Sequence, residues 1–172
     1  MVYDFNLLVS CGWGVSRGAI YESKRILYKM GDEDPKIRRT IAQGILGIKT
    51  KLNPREVIAK LREAYSEDRH IMQETLKWVP IDIWTTSDLP SMQKAVQSLA
   101  GEIGENETWR MTVEKRRYTL YHIAEIIQNL AAAVPRKVNL EKPDKILRID
   151  IIGKYAGLSI LKPNEIFSTA KP

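Results

Sequence analysis

An α/β (α+β) fold in two consecutive units is what this sequence of 172 residues predicts, and three observations point to it. Short apolar alternations of strand type recur along the chain, separated by longer segments with helical periodicity. Over the first half their order is strand, helix, two strands, helix, strand, the split βαβ arrangement of a ferredoxin-like unit. A second set of helix, strand, helix and two strands follows with no low-complexity linker before it. The expectation is therefore a ferredoxin-like unit over 1–75, whose last strand at 78–85 forms the junction, packed on a mixed-sheet unit over 76–172.

Phe5, Leu7, Val9 and Cys11 alternate, with Leu8 also apolar, which predicts a largely buried strand. From 15 to 30, Ala19, Ile20, Ser23, Ile26, Leu27 and Met30 share one helix face, with Glu22, Lys24, Arg25 and Lys29 outside. The "GDEDP" segment stops that helix, and residues 36–51 read as two strands broken near Gly44, with Gly47 as a possible bulge. "NPRE" is a helix start: Asn53 caps, Pro54 takes the first helical position and Glu56 the third. Val57, Ile58, Leu61, Ala64 and Tyr65 give the inner face. "WVPIDIW" (78–84) then alternates as one strand, and Pro80 favours an edge.

In the second unit a helix is expected over 90–103, with Met92, Ala95, Val96, Leu99 and Ile103 inward. "TWRMTVEKRR" is a strand with Trp109, Met111 and Val113 on one side. A helix follows over 120–134, capped by Thr119 and using Leu120, Ile123, Ile126, Ile127, Leu130 and Val134. Residues 145–162 read as two strands around Gly153–Gly157.

Composition bounds the function. Hydrophobic content of 44% against 28% charge is that of a folded chain, and no window approaches the ~20 apolar residues of a membrane span. The start carries Asp4 and no basic leader, and one cysteine, Cys11, excludes an internal disulfide, so a cytoplasmic protein is expected. Two histidines and one cysteine argue against a closed zinc site. The net charge of +6 favours an anionic partner. It is spread evenly: residues 1–86 hold 14 basic and 11 acidic side chains, and residues 87–172 hold 13 and 10. Any anion-binding surface must be built by folding.

Gly12, Gly14 and Gly18 trace the outline of a dinucleotide-binding turn between strand and helix. A dinucleotide unit needs a parallel second strand ending in an acidic ribose ligand. Here "KIRRTIAQ" ends in Gln43 and turns into another strand, so the turn reads as architecture, with Gly18 allowing close helix–sheet packing. A small regulatory or nucleotide-binding ferredoxin-like protein using residues 12–18 remains the alternative, and a pure protein-interaction module a third.

No catalytic set, metal cluster or cofactor motif is visible. There is no phosphate loop and no nucleophile elbow; His70 reads as a solvated loop residue and Cys11 as a core thiol. "GDEDP" lacks calcium-loop spacing. His122, in the first turn of a helix, reads either as surface packing or as an RNA contact. The notable cluster is "WRMTVEKRRYTLYH" (109–122). Lys115, Arg116 and Arg117 sit at a strand end just before a helix N-terminus, where cations are ordinarily unfavourable. Binding an anion there would explain them, with helix N–H groups and guanidinium forks converging on phosphate. Tyr118 and Tyr121 would offer faces for unpaired bases, and Arg110, Arg136 and Lys137 secondary contacts. The alternative is an ordinary charged strand end.

"VEKRRYT" followed by "KVNLEKPDKILRIDIIGKYAGLSILKPNEIF" (137–167) resembles the THUMP domain, an RNA-binding module of tRNA-modifying systems: a strand ending in Lys-Arg, a helix, a V-[DN]-L-x-x-P-[DE] segment, a strand. The "GLSILKPNEIF" ending and the "WVPIDIW" stretch are similar to stand-alone THUMP proteins of archaea and eukaryotes, related to the accessory protein of tRNA cytidine acetylation. Asn139 stands where many members have Asp, and Arg117-Tyr118 where others have His or Gly. The resemblance implies a tRNA-binding adaptor holding the acceptor stem and 3′ end. It would present the tRNA to a separate cytidine acetyltransferase that modifies the D-arm. With the chain ending at Pro172, the implied role is accessory rather than enzymatic, with no cofactor, no membrane partner and no DNA.

Overall fold

The computed structural model describes residues 3–172; Met1 and Val2, the first residues of the expected N-terminal unit, lie outside them. The chain divides into two compact units. One comprises Asp4–Pro80 with Asn164–Pro172, and the other Ile81–Pro163 with Tyr3. The division thus falls at 80/81 rather than 75/76, and the last nine residues belong with the N-terminal unit.

That unit runs β1 (Leu7–Cys11), α1 (Ser16–Lys29), β2 (Lys36–Arg39), β3 (Ile45–Lys49), α2 (Pro54–Glu67) and β4 (Thr75–Pro80). Its sheet order β4-β1-β3-β2, with every neighbour antiparallel, is the ferredoxin-like arrangement. Because β1 is antiparallel to both of its neighbours, the parallel pair that a dinucleotide turn requires is missing from this sheet. Ala19, Ile26 and Leu27 of α1 and Val57, Ile58 and Leu61 of α2 close over Leu7, Val9, Ile48 and Trp78. Asn53 caps α2, its side chain accepting from the Arg55 and Glu56 amides.

Four local expectations are corrected here. Glu22, expected outside α1, is buried, because its carboxylate accepts from the amides of Gln73, Glu74 and Thr75 and from the Thr75 hydroxyl. Gly47 is not a bulge: a Cβ there would lie 2.2 Å from the Phe5 ring, so glycine makes room for Phe5, and the register shift falls between Ser10 and Cys11 instead. "WVPIDIW" is not one strand. Pro80 ends β4, which lies inside its sheet, and Ile83–Thr86 begins the other unit's sheet. Finally, the chain end returns: Phe167 and Ser168 pair with Trp78 and Lys77 of β4. The Phe167 ring lies 5.3 Å from Tyr65, and Arg62 donates to the carbonyls of Asn164 and Ile166 at 2.7 and 2.8 Å.

The second unit runs β5 (Ile83–Thr86), α3 (Leu89–Leu99), β6 (Thr108–Arg116), α4 (Ile123–Ala131), β7 (Lys137–Val138), β8 (Lys145–Ile152) and β9 (Tyr155–Leu161). The returning pair Phe167–Ser168 is β10. The sheet is mixed, in the order β5-β9-β8-β6-β7, with β6 parallel to both β8 and β7. Met92, Val96 and Leu99 of α3 and Ile126 and Leu130 of α4 pack on Trp109, Val113, Leu147, Ile149 and Leu158. The β8–β9 turn is Gly153-Lys154, with Gly153 at φ 58°, while Gly157 sits within β9, where a Cβ would stand 3.0 Å from both the Trp84 ring and the Ile81 side chain.

The expected helix 120–134 is shorter, 123–131. Glu125 accepts from the His122 amide and fixes the N-terminus there, not at Thr119. Leu120, assigned to the inner face, is 71% exposed ahead of the helix. For α3 the cap is Asp88, which accepts from the Ser91 amide at 2.8 Å and the Thr86 hydroxyl at 2.6 Å. The Thr86 hydroxyl and then Ser91 lower its carboxyl from 3.8 to about 2.

Two outcomes are expected. Glu22→Ala strands several buried donors and should destabilise the chain by roughly 2–4 kcal/mol in urea melts, whereas Glu22→Gln keeps an acceptor and should cost less. Asp88 is depressed in the folded state, so its stabilisation is complete above its ordinary pKa and lost as pH falls through the folded value. The stability gap between wild type and Asp88→Ala should therefore shrink from about pH 4 to about pH 2.

Candidate nucleic-acid interface

Strand alternation divides the basic run. On β6 the odd positions Trp109, Val113 and Lys115 face the helices, and the even positions Arg110 and Arg116 face the other side of the sheet. Lys115 is half-buried, its ammonium donating to the Tyr121 carbonyl at 3.0 Å; it ties β6 to the loop before α4. Arg116 is also half-buried, 3.4 Å from the Asp150 carboxylate. Asp150 is itself held by Arg148 through contacts of 2.9 and 3.1 Å. Two guanidinium groups therefore share one buried carboxylate.

Arg117 differs from both. It is exposed, and at φ 58° it adopts the left-handed conformation that glycine tolerates best. The bend is held where the Gly153 amide donates to the Arg116 carbonyl at 2.9 Å. That bond also brings the β8–β9 turn alongside, and with it Lys154, an exposed cation that sequence reading missed. Its signal was present: a Gly-Lys pair between two apolar runs is a two-residue hairpin turn.

Tyr118 is not free for stacking. It is 8% exposed, and its hydroxyl donates to the Ser87 carbonyl at 2.8 Å. Burial, then the fields of Tyr121 and Asp88, push its phenol pKa up. Tyr121 is partly buried against the helix core.

At the other end of β6, about 20 Å away at 3.3 Å per residue, Arg110 donates to the Leu140 carbonyl at 3.0 Å. Arg136 works as a clamp: its guanidinium donates to the Ile103 and Pro135 carbonyls, and its own carbonyl accepts from the Trp109 indole. Lys137 is exposed on β7, and Lys142 is exposed beside the turn that Asn139 closes by accepting from the Glu141 and Lys142 amides. The seven expected contacts thus fall at two ends of one strand. Arg117 and Lys137 are exposed, while Arg110, Lys115, Arg116, Tyr118 and Arg136 carry structural bonds. Among the described residues no group of three His, Cys, Asp or Glu is placed to hold a metal, and no helix is long and apolar enough to cross a membrane.

Separate substitutions should distinguish these roles. Arg117→Ala should leave thermal stability unchanged and lower the log–log salt slope of tRNA binding by about 0.7–0.9. Tyr118→Phe should do the reverse, leaving RNA affinity intact while costing about 1 kcal/mol, because the Ser87 carbonyl loses its donor.

Residues 86–161 match the family model described as the THUMP domain. A sequence comparison with curated proteins finds no match. Among solved structures, the fold is similar to PH1313 from Pyrococcus horikoshii at 15% identity and TM-score 0.65, over 92% of this chain and 55% of that one. It is similar to TrmN from Thermus thermophilus at 14% identity and TM-score 0.59, over 92% and 46%. A 4-thiouridine synthetase in complex with RNA and ATP matches at 12% identity and TM-score 0.57, over 96% and 42%. The chain spans about half the length of these structures. Structures matched include proteins described as enzymes, the 4-thiouridine synthetase and a putative methyltransferase, and this overturns the expectation of an accessory, non-enzymatic protein. What the family comparison supports is the module: residues 86–161 of this chain carry the match to the THUMP domain.

Proposed function

We propose that this chain binds tRNA, holding the acceptor stem and unpaired 3′ end, and presents it to a separate acetyltransferase that acetylates a D-arm cytidine. The observation that carries the RNA-binding part is the THUMP domain at 86–161, within a fold shared with a thiouridine synthetase captured on RNA. Exposed Arg117 and Lys154 at one end of β6 and Lys137 and Lys142 at the other suit phosphates rather than bases. Such contacts fix register and orientation along a stem without reading its sequence. Holding a substrate in place removes much of the entropic cost of reaction at a distant nucleotide. The acetylation chemistry is supported by the "GLSILKPNEIF" and "WVPIDIW" stretches.

A structural neighbour described as a putative methyltransferase and the thiouridine synthetase favour a second reading, in which the same RNA-holding module serves methyl or sulfur transfer. Reconstitution separates the two. Added to an RNA cytidine acetyltransferase with acetyl-CoA, ATP and tRNA, the chain should raise the yield of acetylcytidine at least tenfold, measured by nucleoside mass spectrometry. Tight tRNA binding without stimulation would remove the acetylation partner and leave the second reading. No tRNA binding at moderate salt would remove both.

A further inference from the structure

The glycine turn at 12–18 does not fit a dinucleotide, yet its geometry has a consequence of its own. Gly14, at φ 84°, bends the chain so that Trp13 projects at the end of β1 with 77% of its surface exposed. Its indole edge lies close to Gly44, where a Cβ would meet the ring at 3.2 Å. Trp13 is therefore a displayed ring with a fixed footing. The other tryptophans assigned to the two cores, Trp78 and Trp109, are fully buried.

The helix that follows continues the display. Arg17, Tyr21, Lys24 and Tyr28 recur at spacings of four, three and four, which places them within one narrow arc of α1. Tyr21 is 71% exposed and Tyr28 62% exposed. Arg25 and Lys29 flank the row, and Arg39 reaches the start of the helix by donating to the Ser16 hydroxyl at 3.0 Å. The only acid within α1 is Glu22, which is buried on the opposite side. A groove of about 480 Å³ runs along this face between Tyr21, Lys24, Tyr28 and Pro35. Glu33 and Asp34 also line it, Asp34 paired with Lys36 at 2.7 Å, and Arg25 and Lys29 share a neighbouring hollow with Glu67 and Asp68.

Exposed rings alternating with cations make a particular chemical request. A protein partner would bury the rings but leave the cations within the row, Arg17 and Lys24, to be neutralised. Unpaired RNA satisfies both, since bases stack on rings while the connecting phosphates meet Lys24 and the flanking cations. Tyr21 and Tyr28 are seven residues apart, about 10 Å along the helix, so Lys24 falls between two stacked bases. We infer that the outer face of α1, with Trp13 at its head, is a stacking platform for a single-stranded RNA segment, in the unit outside the THUMP domain. The inference rests on RNA being the ligand of the chain.

The 172-residue chain, octauridylate, an RNA duplex of equal length and tRNA decide it. Octauridylate should quench Trp13 fluorescence saturably, the duplex much less, and Trp13→Phe should abolish the quench. Tyr21→Ala with Tyr28→Ala should weaken octauridylate binding at least tenfold. Both rings are exposed, so circular dichroism and Tm should be unchanged. If tRNA binds but octauridylate affinity is the same in the double variant, the platform is overturned and the tRNA reading stands. If wild type binds neither RNA, both fall. If the double variant binds RNA normally but no longer stimulates an acetyltransferase, the face docks protein, and the platform is again overturned.

Discussion

Parallel strands cannot be joined by a tight turn, so the eight-residue pairing of β6 with β8, from Trp109–Lys145 to Arg116–Ile152, obliges the chain between them to cross back along the sheet. Helix α4 makes that return. One consequence is that the end of β6 and the start of α4 lie at the same edge, joined by residues 117–122. A second is that the β8–β9 turn falls at this edge too, because β8 ends in register with β6. The exposed cations Arg117 and Lys154 are neighbours through this pairing, although 37 positions separate them in sequence. The opposite edge collects the start of β6, the end of α4 and the approach to β8, and with them Arg136, Lys137 and Lys142.

The same pairing explains why three consecutive cations do three different things. A strand sends successive side chains to opposite faces, so Lys115 and Arg116 cannot both reach one ligand from within β6. Lys115 uses its charge on a loop carbonyl, where it fixes the segment leading into α4. Arg116 shares Asp150 with Arg148. A buried carboxylate is costly unless paired; Arg148 donates to both Asp150 oxygens, and Arg116 adds a second donor to Oδ1. Only Arg117, beyond the strand and turned into the left-handed region, is released from the alternation. A position that needs φ near 58° is one where glycine is the unstrained residue. Arginine there accepts backbone strain to put a charge at the edge.

Much of this was legible in the sequence, and what was not has identifiable physical causes. The ferredoxin-like order, the α1 core face and the Asn53 cap followed from periodicity and capping, which are local. The basic run was correctly located but not correctly divided, since which cation is exposed depends on strand phase and on a partner, Asp150, that lies 34 residues later. Tyr118 and Glu22 were misassigned for a related reason. Each is a polar side chain buried by hydrogen bonds to backbone far along the chain, at Ser87 and at Gln73–Thr75. Hydrophobic patterning carries no signal for such burial. The split of "WVPIDIW" between two sheets was hidden because alternation continues unbroken across it, and only Pro80 marked the boundary. The return of Phe167 to the N-terminal core likewise has no local signature.

Charge distribution links the two units to one class of ligand. Each half of the chain carries a similar small positive excess, and in each the free cations are displayed differently: beside strand ends in the THUMP unit, and between aromatic rings on α1. Bare cations at strand ends suit the regular phosphates of a stem, whose bases are already paired and stacked. Rings interleaved with cations suit nucleotides whose bases are available. Neither surface carries enough charge to bind strongly against physiological salt, because each phosphate contact contributes only through released counterions. Joined in one chain they gain by effective concentration: once one has engaged an RNA, the other meets its segment at far more than its bulk concentration, and weak affinities multiply. That advantage accrues only to an RNA with both paired and unpaired parts. A folded tRNA, with a helical stem that ends in unpaired nucleotides, has that form, whereas a uniform duplex or an unstructured strand would engage one surface and leave the other empty.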